Sequence, residues 1–301
     1  MKAAILTDGT FALPDTLTNR NDIFEFKLLI SFADGETLEG QYDTDEMEKF
    51  YHRLEQSKEL PKTSQVRPAE LYQLFDRMVA EGFDTLFVLA IPSGLSGTAQ
   101  TIQGVAREYE DRIQTHLLSH RSIASTIVPL VALTAQYIDE GRDIHSIIER
   151  VRWVDQHQAA WASVASLDSL VKSGRASRFS GFLGNLFHVI PIIKSALDGG
   201  LELSEKTRTQ KQAYNKIVAA MVEDAKRYPG SVAFQIMHAD NRADADKVKA
   251  MLNEVMPEAP VEIVWLSSVI GVHIGPGSLA FGCLPGVDNY DLLNGQEPDS
   301  K

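Results

Sequence analysis

Residues 83–100, FDTLFVLAIPSGLSGTAQ, constrain the fold more than any other stretch of the 301-residue chain. Phe83, Leu86, Phe87, Val88, Leu89 and Ile91 form a nearly unbroken apolar run, the pattern of a parallel strand covered on both faces. Ser93-Gly94-Leu95-Ser96-Gly97-Thr98 then brings little bulk and several hydroxyls, and Ile102, Val105, Ala106 and Tyr109 recur at helical spacing. A strand, a small-residue turn and a helix N-terminus leave backbone N–H groups above the strand end, where an anion suits them best. From spacing alone the turn reads either as a carboxylate-sized anion site or as a tight structural turn.

Before this stretch, Ala3 to Leu6 make a short strand that ends in a polar turn at residues 7–10. There Asp8 reads as a turn cap, with an acid–base role as the alternative. Phe24, Phe26, Leu28, Ile30 and Phe32 recur at every second position, which predicts one half-buried strand closed by a hairpin turn at Asp34-Gly35. Asp43 and Glu46 have capping-box spacing ahead of a helix through Met47, Phe50, Tyr51 and Leu54. Residues 60–68, LPKTSQVRP, read as a loop with adjacent hydroxyls at Thr63 and Ser64. Pro68 opens a helix whose core face is Leu71, Leu74, Phe75 and Met78. A strand near 113–118 and a long helix over 122–139 complete an alternation that predicts a parallel α/β sheet. Ligands of such sheets bind beyond the carboxyl ends of the strands, where residues 7–10, 63–65 and 93–97 would meet.

Gly141-Arg142-Asp143 starts a helix through Ile147, Ile148, Val151 and Val154 that bridges to the second half. From Ala159 the pattern changes. A strand through Trp161 and Val164 is followed by a glycine-punctuated helical segment at 167–187. Two strands then meet at a hairpin turn containing Asp198, and further strands at 232–237, 261–266 and 277–282 alternate with helices. This mixture predicts an α+β domain with an antiparallel or mixed sheet. The expected division is an N-terminal domain over 1–157, a C-terminal domain over 158–290 and a polar tail over 291–301.

A formal net charge of −12 disfavours nucleic acid and anionic membrane surfaces as general partners. Cys283, alone in an apolar run, rules out an intrachain disulfide and reads as a core thiol. The first ten residues turn polar too soon for a signal peptide, and no apolar stretch approaches the length of an integral membrane segment. A cytoplasmic location is expected. Familiar catalytic templates fail. Gly94-Leu95-Ser96-Gly97-Thr98 departs from a nucleophile elbow at Thr98, and no phosphate-binding glycine motif follows the first strand. The eight histidines lack metal-ligand spacing, so no metal or cofactor is expected; His238 reads as a satisfied loop histidine.

The strings TDGT (7–10), PKTSQ (61–65), LSGT (95–98), SGR (173–175), DGGL with KTRT (198–209) and HIGPG (273–277) occur in order across almost the whole chain. In that order and spacing the sequence resembles the DegV family, the bacterial fatty-acid-binding proteins also called FakB. The resemblance implies a two-domain DegV-like α/β fold, with one long-chain fatty acid such as palmitate between the domains. It also implies a lipid-binding subunit rather than an enzyme. Such a subunit presents the acid to a separate fatty acid kinase, which makes an acyl phosphate for phospholipid synthesis. By the same resemblance, Thr63 and Ser96 hold the carboxylate, with Ser64 and the backbone N–H of Gly97 nearby. His273, in a glycine-proline turn, faces the head group, and Arg175 and Arg208 serve phosphate transfer or kinase docking. Gly9, Ser173 and Arg67 depart from the family pattern; the first two alter local hydrogen bonding, and Arg67 alters the kinase-facing surface.

On this reading the acyl tail supplies the affinity and a cradle without a permanent cation fixes its direction. Phe179, Phe182, Leu183, Leu186, Phe187, Ile190, Ile192 and Ile193 are candidates for the tunnel wall, each of which also reads as ordinary core. Two other readings stay open. One is a serine-dependent lipid hydrolase or acyltransferase with Ser96 as nucleophile and His273 as base. The other is a protein-interaction module in which lipid is incidental.

Overall fold

A computed structural model of the chain describes residues 1–40, 44–165, 168–175 and 189–293. The first half runs β1 (Ala3–Asp8), α1 (Asp15–Thr18), β2 (Ile23–Phe26), β3 (Leu29–Ser31), β4 (Thr37–Glu39), α2 (Thr44–Gln56) and β5 (Lys62–Thr63). It continues with α3 (Pro68–Ala80), β6 (Thr85–Leu89), α4 (Thr98–Glu108), β7 (Gln114–Leu117), α5 (Val128–Asp139) and α6 (Ile144–His157). The second half runs β8 (Ala159–Ser163), α7 (Asp168–Lys172), β9 (Ile190–Ser195), β10 (Leu201–Thr207), α8 (Gln210–Ala225) and β11 (Val232–His238). After it come α9 (Arg242–Val255), β12 (Val261–Trp265), α10 (Ser268–Ile274), β13 (Leu279–Pro285) and α11 (Asp288–Leu292).

The N-terminal sheet has the order β2-β1-β6-β7 and is parallel throughout, as the sequence predicts. Every residue of β6 is buried. Its alternation explains the unbroken apolar run. Leu86 and Val88 pack with Phe75, Met78, Ile102 and Val105 of α3 and α4, and Phe87 and Leu89 pack with Leu130, Val131, Ile147 and Val151 of α5 and α6. The C-terminal sheet is mixed, in the order β10-β9-β8-β13-β11-β12, with only β11 and β12 parallel among its pairs. Helices α8 and α9 cover one face through Tyr214, Ile217, Met221, Val248 and Leu252. On the other face Ile193, Met237 and Leu266 join the same hydrophobic cluster as Leu6, Leu71 and Phe75, so one core spans both halves.

Several expectations need correction. The alternation from Phe24 to Phe32 is buried as predicted, but it belongs to two strands in different sheets: β2 pairs with β1, and β3 pairs with β4 and β5. A period of two sets which residues are buried and says nothing of which neighbour each strand takes. The supposed loop at 60–68 contributes β5 to that small antiparallel sheet, and β1 continues through Asp8. The helix expected over 122–139 is a 3-10 turn (Ala124–Ile127) followed by α5, with Pro129 near its start. Ala124 has φ 54°, a left-handed conformation unusual for a residue carrying Cβ. His273 stands on α10 rather than in a turn; the glycine-proline turn begins after it. His238 is no satisfied loop residue either. It ends β11, is buried and packs at a 44° tilt against Trp265 with ring centres 4.2 Å apart, and its Nδ1 lacks a partner among the described residues. The Asp43 cap, the five aromatic and leucine candidates between Phe179 and Phe187, and most of the polar tail lie outside the described residues.

Candidate functional site

A cavity lies between the two halves, with about 900 Å³ of space free of protein atoms, part of it open to solvent. Its floor is the inner face of the C-terminal sheet. On β8 and β13 large and small residues alternate: Ala159, Trp161, Leu279, Phe281 and Cys283 pack towards α8, and Ala160, Ala162 and Ala280 are left beneath the cavity. Ala162 stands beside both Ala280 and Ile193 in register. Three small side chains on neighbouring strands keep the space open. Val269, Ile270, His273 and Ile274 of α10, with Met237, Leu266 and Leu170 of the neighbouring α7, line another wall, and Leu28, Ile91, Leu95, Ile123 and Ala124 contribute from the first half.

Polar groups gather where the loops of the first half meet α10. Thr63 Oγ1 and His273 Nε2 are 2.8 Å apart. Ser96 follows β6 in a turn closed by the Leu95 and Ser96 N–H groups, which both donate to the Pro92 carbonyl. Its Oγ accepts the Thr98 N–H at 3.2 Å and lies 3.0 Å from Thr98 Oγ1. The Ser64 hydroxyl accepts the Leu29 N–H at 3.2 Å. Burial pushes the pKa of His273 down to about 3, with help from the charge of Arg175. The ring is therefore neutral near pH 7, and its buried Nδ1 has no partner among the described residues. Arg175 lines the cavity, donating from Nη1 to the Ser173 carbonyl at 2.6 Å and from Nε towards the Leu95 carbonyl at 3.5 Å. Lys194 also belongs to the lining, its Nζ 4.4 Å from the centre of the Trp161 ring, so the cavity wall includes two permanent cations among the described residues, contrary to the expectation of a cation-free cradle. Spacing in sequence cannot reveal how close Arg175 comes to residue 95.

Thr63, Ser64, Ser96, Arg175 and His273 all line this single space. Two predicted residues lie outside its lining. Gly97 is the N-cap of α4, where any side chain would overlap the Gln65 amide oxygen. Arg208 is exposed between β10 and α8, and its N–H donates to Gln212 Oε1 at 3.1 Å. Of the described tunnel candidates, Ile193 lines the cavity, whereas Ile190 and Ile192 belong to the core beneath α8. Sequence reasoning missed the alanine floor and the Val269 and Ile270 wall. The signal was present as small residues alternating with Trp161, Leu279 and Phe281. Glycine also matters where the halves touch: a Cβ on Gly94 would sit 2.5 Å from the backbone nitrogen of Gly200.

Cys283 is buried, and burial raises its thiol pKa far above the ordinary value. Among the described residues no group of three or more His, Cys, Asp or Glu side chains could hold a metal ion, and no helix is long and apolar enough to cross a membrane.

The profile of a family described as "uncharacterised protein, DegV family" matches residues 2–286. A DegV domain-containing protein of Streptococcus pneumoniae is 30% identical over 288 residues, covering 95% of this chain and 99% of that protein. A "fatty acid-binding protein" of Thermotoga maritima is 29% identical over 286 residues, covering 94% and 97%. Among solved structures, a fatty acid binding DegV family protein from Streptococcus agalactiae superposes with a TM-score of 0.88 at 29% identity, covering 95% of this chain and 99% of that one. DegV from Bacillus subtilis, also described as a fatty acid binding protein, gives 0.82 at 25% identity, covering 94% and 99%.

Proposed function

The chain belongs to the DegV family, and from that premise we propose that it binds a long-chain fatty acid between its halves and presents the carboxylate to a separate kinase. The observation that carries this reading is the cavity: apolar along most of its wall, with the hydroxyls of Thr63 and Ser96, the neutral His273 and Arg175 gathered in one part of it. Burying a tail of about sixteen carbons at ~0.8 kcal/mol per methylene supplies on the order of 10 kcal/mol before entropic losses. A hydrogen bond to a charged group adds about 1.5–3 kcal/mol. The tail therefore accounts for most of the affinity, and the polar groups decide which way round the ligand lies.

In this reading Thr63 and Ser96 grip the carboxylate, with Ser64 and the Gly97 N–H supporting them, and His273 faces the same head group. Arg175 reaches the head group from the cavity wall, and Arg208, on the surface, serves kinase docking or phosphate transfer. The division between the carboxylate-holding and lipid-covering domains falls near residue 157. The protein works in the cytoplasm as a carrier for acyl-phosphate formation and phospholipid synthesis, and the kinase performs the chemistry. The hydrolase reading gains no support from the geometry: His273 Nε2 pairs with Thr63, and the Ser96 hydroxyl already accepts the Thr98 N–H.

Denaturing the purified protein and weighing the organic extract by mass spectrometry is expected to release a long-chain fatty acid. An extract without one, together with no binding of added hexadecanoate, would remove the proposal. Arg208→Ala is expected to retain the lipid and to slow its phosphorylation by the kinase; phosphorylation at the normal rate would exclude that role.

A further inference from the structure

Asp8 is fully buried at the end of β1. Its carboxylate is held by neutral donors: Oδ2 accepts the Ile91 N–H at 2.5 Å, and Oδ1 accepts the Thr10 N–H at 2.9 Å and the Thr10 hydroxyl at 2.5 Å. Burial raises its pKa above the usual carboxylate value despite those bonds. An aspartate that merely closes a turn stands in water at little cost. One taken wholly out of water is expensive, and it persists where its bonds fix a geometry.

Both arms of this carboxylate lead to the polar part of the cavity. Ile91 lines the cavity and directly precedes Pro92, whose carbonyl closes the turn bearing Ser96. Thr10 leads across to the other half: its carbonyl accepts the Ser267 hydroxyl at 2.7 Å. Ser267 occupies the N-cap position of α10, yet its side chain makes no cap bond and reaches Thr10 instead. That helix carries His273.

We propose that Asp8 is a positioning residue for the head-group end of the cavity. Through Ile91 it fixes the turn bearing Ser96. Through Thr10 and Ser267 it fixes the helix bearing His273. One carboxylate thereby sets the spacing between polar groups contributed by the two halves. Asparagine cannot substitute, because its amide would turn a donor towards either the Ile91 N–H or the Thr10 pair. This inference rests on the fatty-acid reading above.

The test compares hexadecanoic acid with hexadecan-1-ol, which has the same tail and no carboxylate. Dissociation constants for both are measured on the wild-type chain and on Asp8→Asn, Thr10→Val and Ser267→Ala, with melting temperature as the check of folding. Misplaced donors are expected to weaken acid binding about tenfold in Asp8→Asn and about threefold in Ser267→Ala, with the alcohol changed by less than about twofold. Equal weakening of both ligands, as a purely structural carboxylate would give, overturns the inference, and so does an unchanged ratio. If Asp8→Asn does not fold, the ratio is read in Ser267→Ala and Thr10→Val, and no change there overturns it as well. A wild-type chain that binds neither ligand removes the fatty-acid reading itself, an outcome distinct from normal binding with an unaltered ratio.

Discussion

The four-stranded sheet approaches the cavity with the ends of its strands, whereas the six-stranded sheet approaches it with a face. Beyond β6 the first half offers Ile91, Leu95 and Ser96, and its small antiparallel sheet offers Thr63 and Ser64. Strand ends release hydroxyls and backbone donors, so this side decides what chemistry is recognised. The second half lays Ala160, Ala162, Ala280 and Ile193 beneath the space. A sheet face satisfies its own backbone groups, so it contributes shape and little chemistry. The difference teaches that affinity and orientation are supplied by separate parts of the chain and can be altered separately.

The largest effect is expected on the sheet face. Ala162→Trp should block part of the cavity, and if four methylenes lose burial at ~0.8 kcal/mol each, hexadecanoate affinity falls on the order of 100-fold. Unchanged affinity in a titration would mean that this face is not the floor the ligand uses. Gly94→Ala probes the seam between the halves. Its Cβ would meet the backbone of Gly199 and Gly200 at 2.5–2.7 Å. Overpacking of this kind costs about 1–3 kcal/mol, or a melting temperature lower by roughly 3–10 °C. A calorimetric scan matching wild type would show that the seam yields.

At the strand ends, Thr63→Ala or Ser96→Ala should weaken fatty acid binding about tenfold and leave the melting temperature nearly unchanged. Normal affinity in both variants would sever the hydroxyls from the head group. The last test concerns acid, and its effect is confined to low pH. His273 and His238 have native pKa values pushed down to about 3 and about 4, chiefly by burial, against about 6.5 when unfolded. As pH falls below about 6.5 the unfolded chain takes up protons that the native chain refuses, so stability declines towards pH 3–4. His273→Gln should flatten one part of that decline and His238→Asn another, read as melting temperature against pH. Curves that stay parallel to wild type would show that neither ring is held neutral by the fold.

Much of this architecture is legible in the chain. The apolar run before Ile91 reads as a strand buried on both faces, because it is strand-length and ends in a turn of small residues with Pro92 and Gly94. The six ordered strings direct attention to Thr63, Ser96, Arg175 and His273, and those four side chains share one cavity. Other features stay hidden. Ile192 and Ile193 look alike in sequence, but one faces α8 and the other faces the cavity, since adjacent strand residues point to opposite sides. Phe24 to Phe32 read as one strand, and only pairing assigns the parts to different sheets.

Local periodicity and the ordered strings by themselves determined the strand-helix alternation, the parallel first sheet, an antiparallel or mixed second sheet and the family. Both signals are carried by residues near one another in the chain. Tertiary structure alone decided that Arg175 enters the cavity, that α10 of the second half is fastened to Thr10 of the first, and that three alanines make the space beneath it. Those facts depend on contacts between residues as many as 257 positions apart. No short-range pattern records which distant surfaces exclude water together.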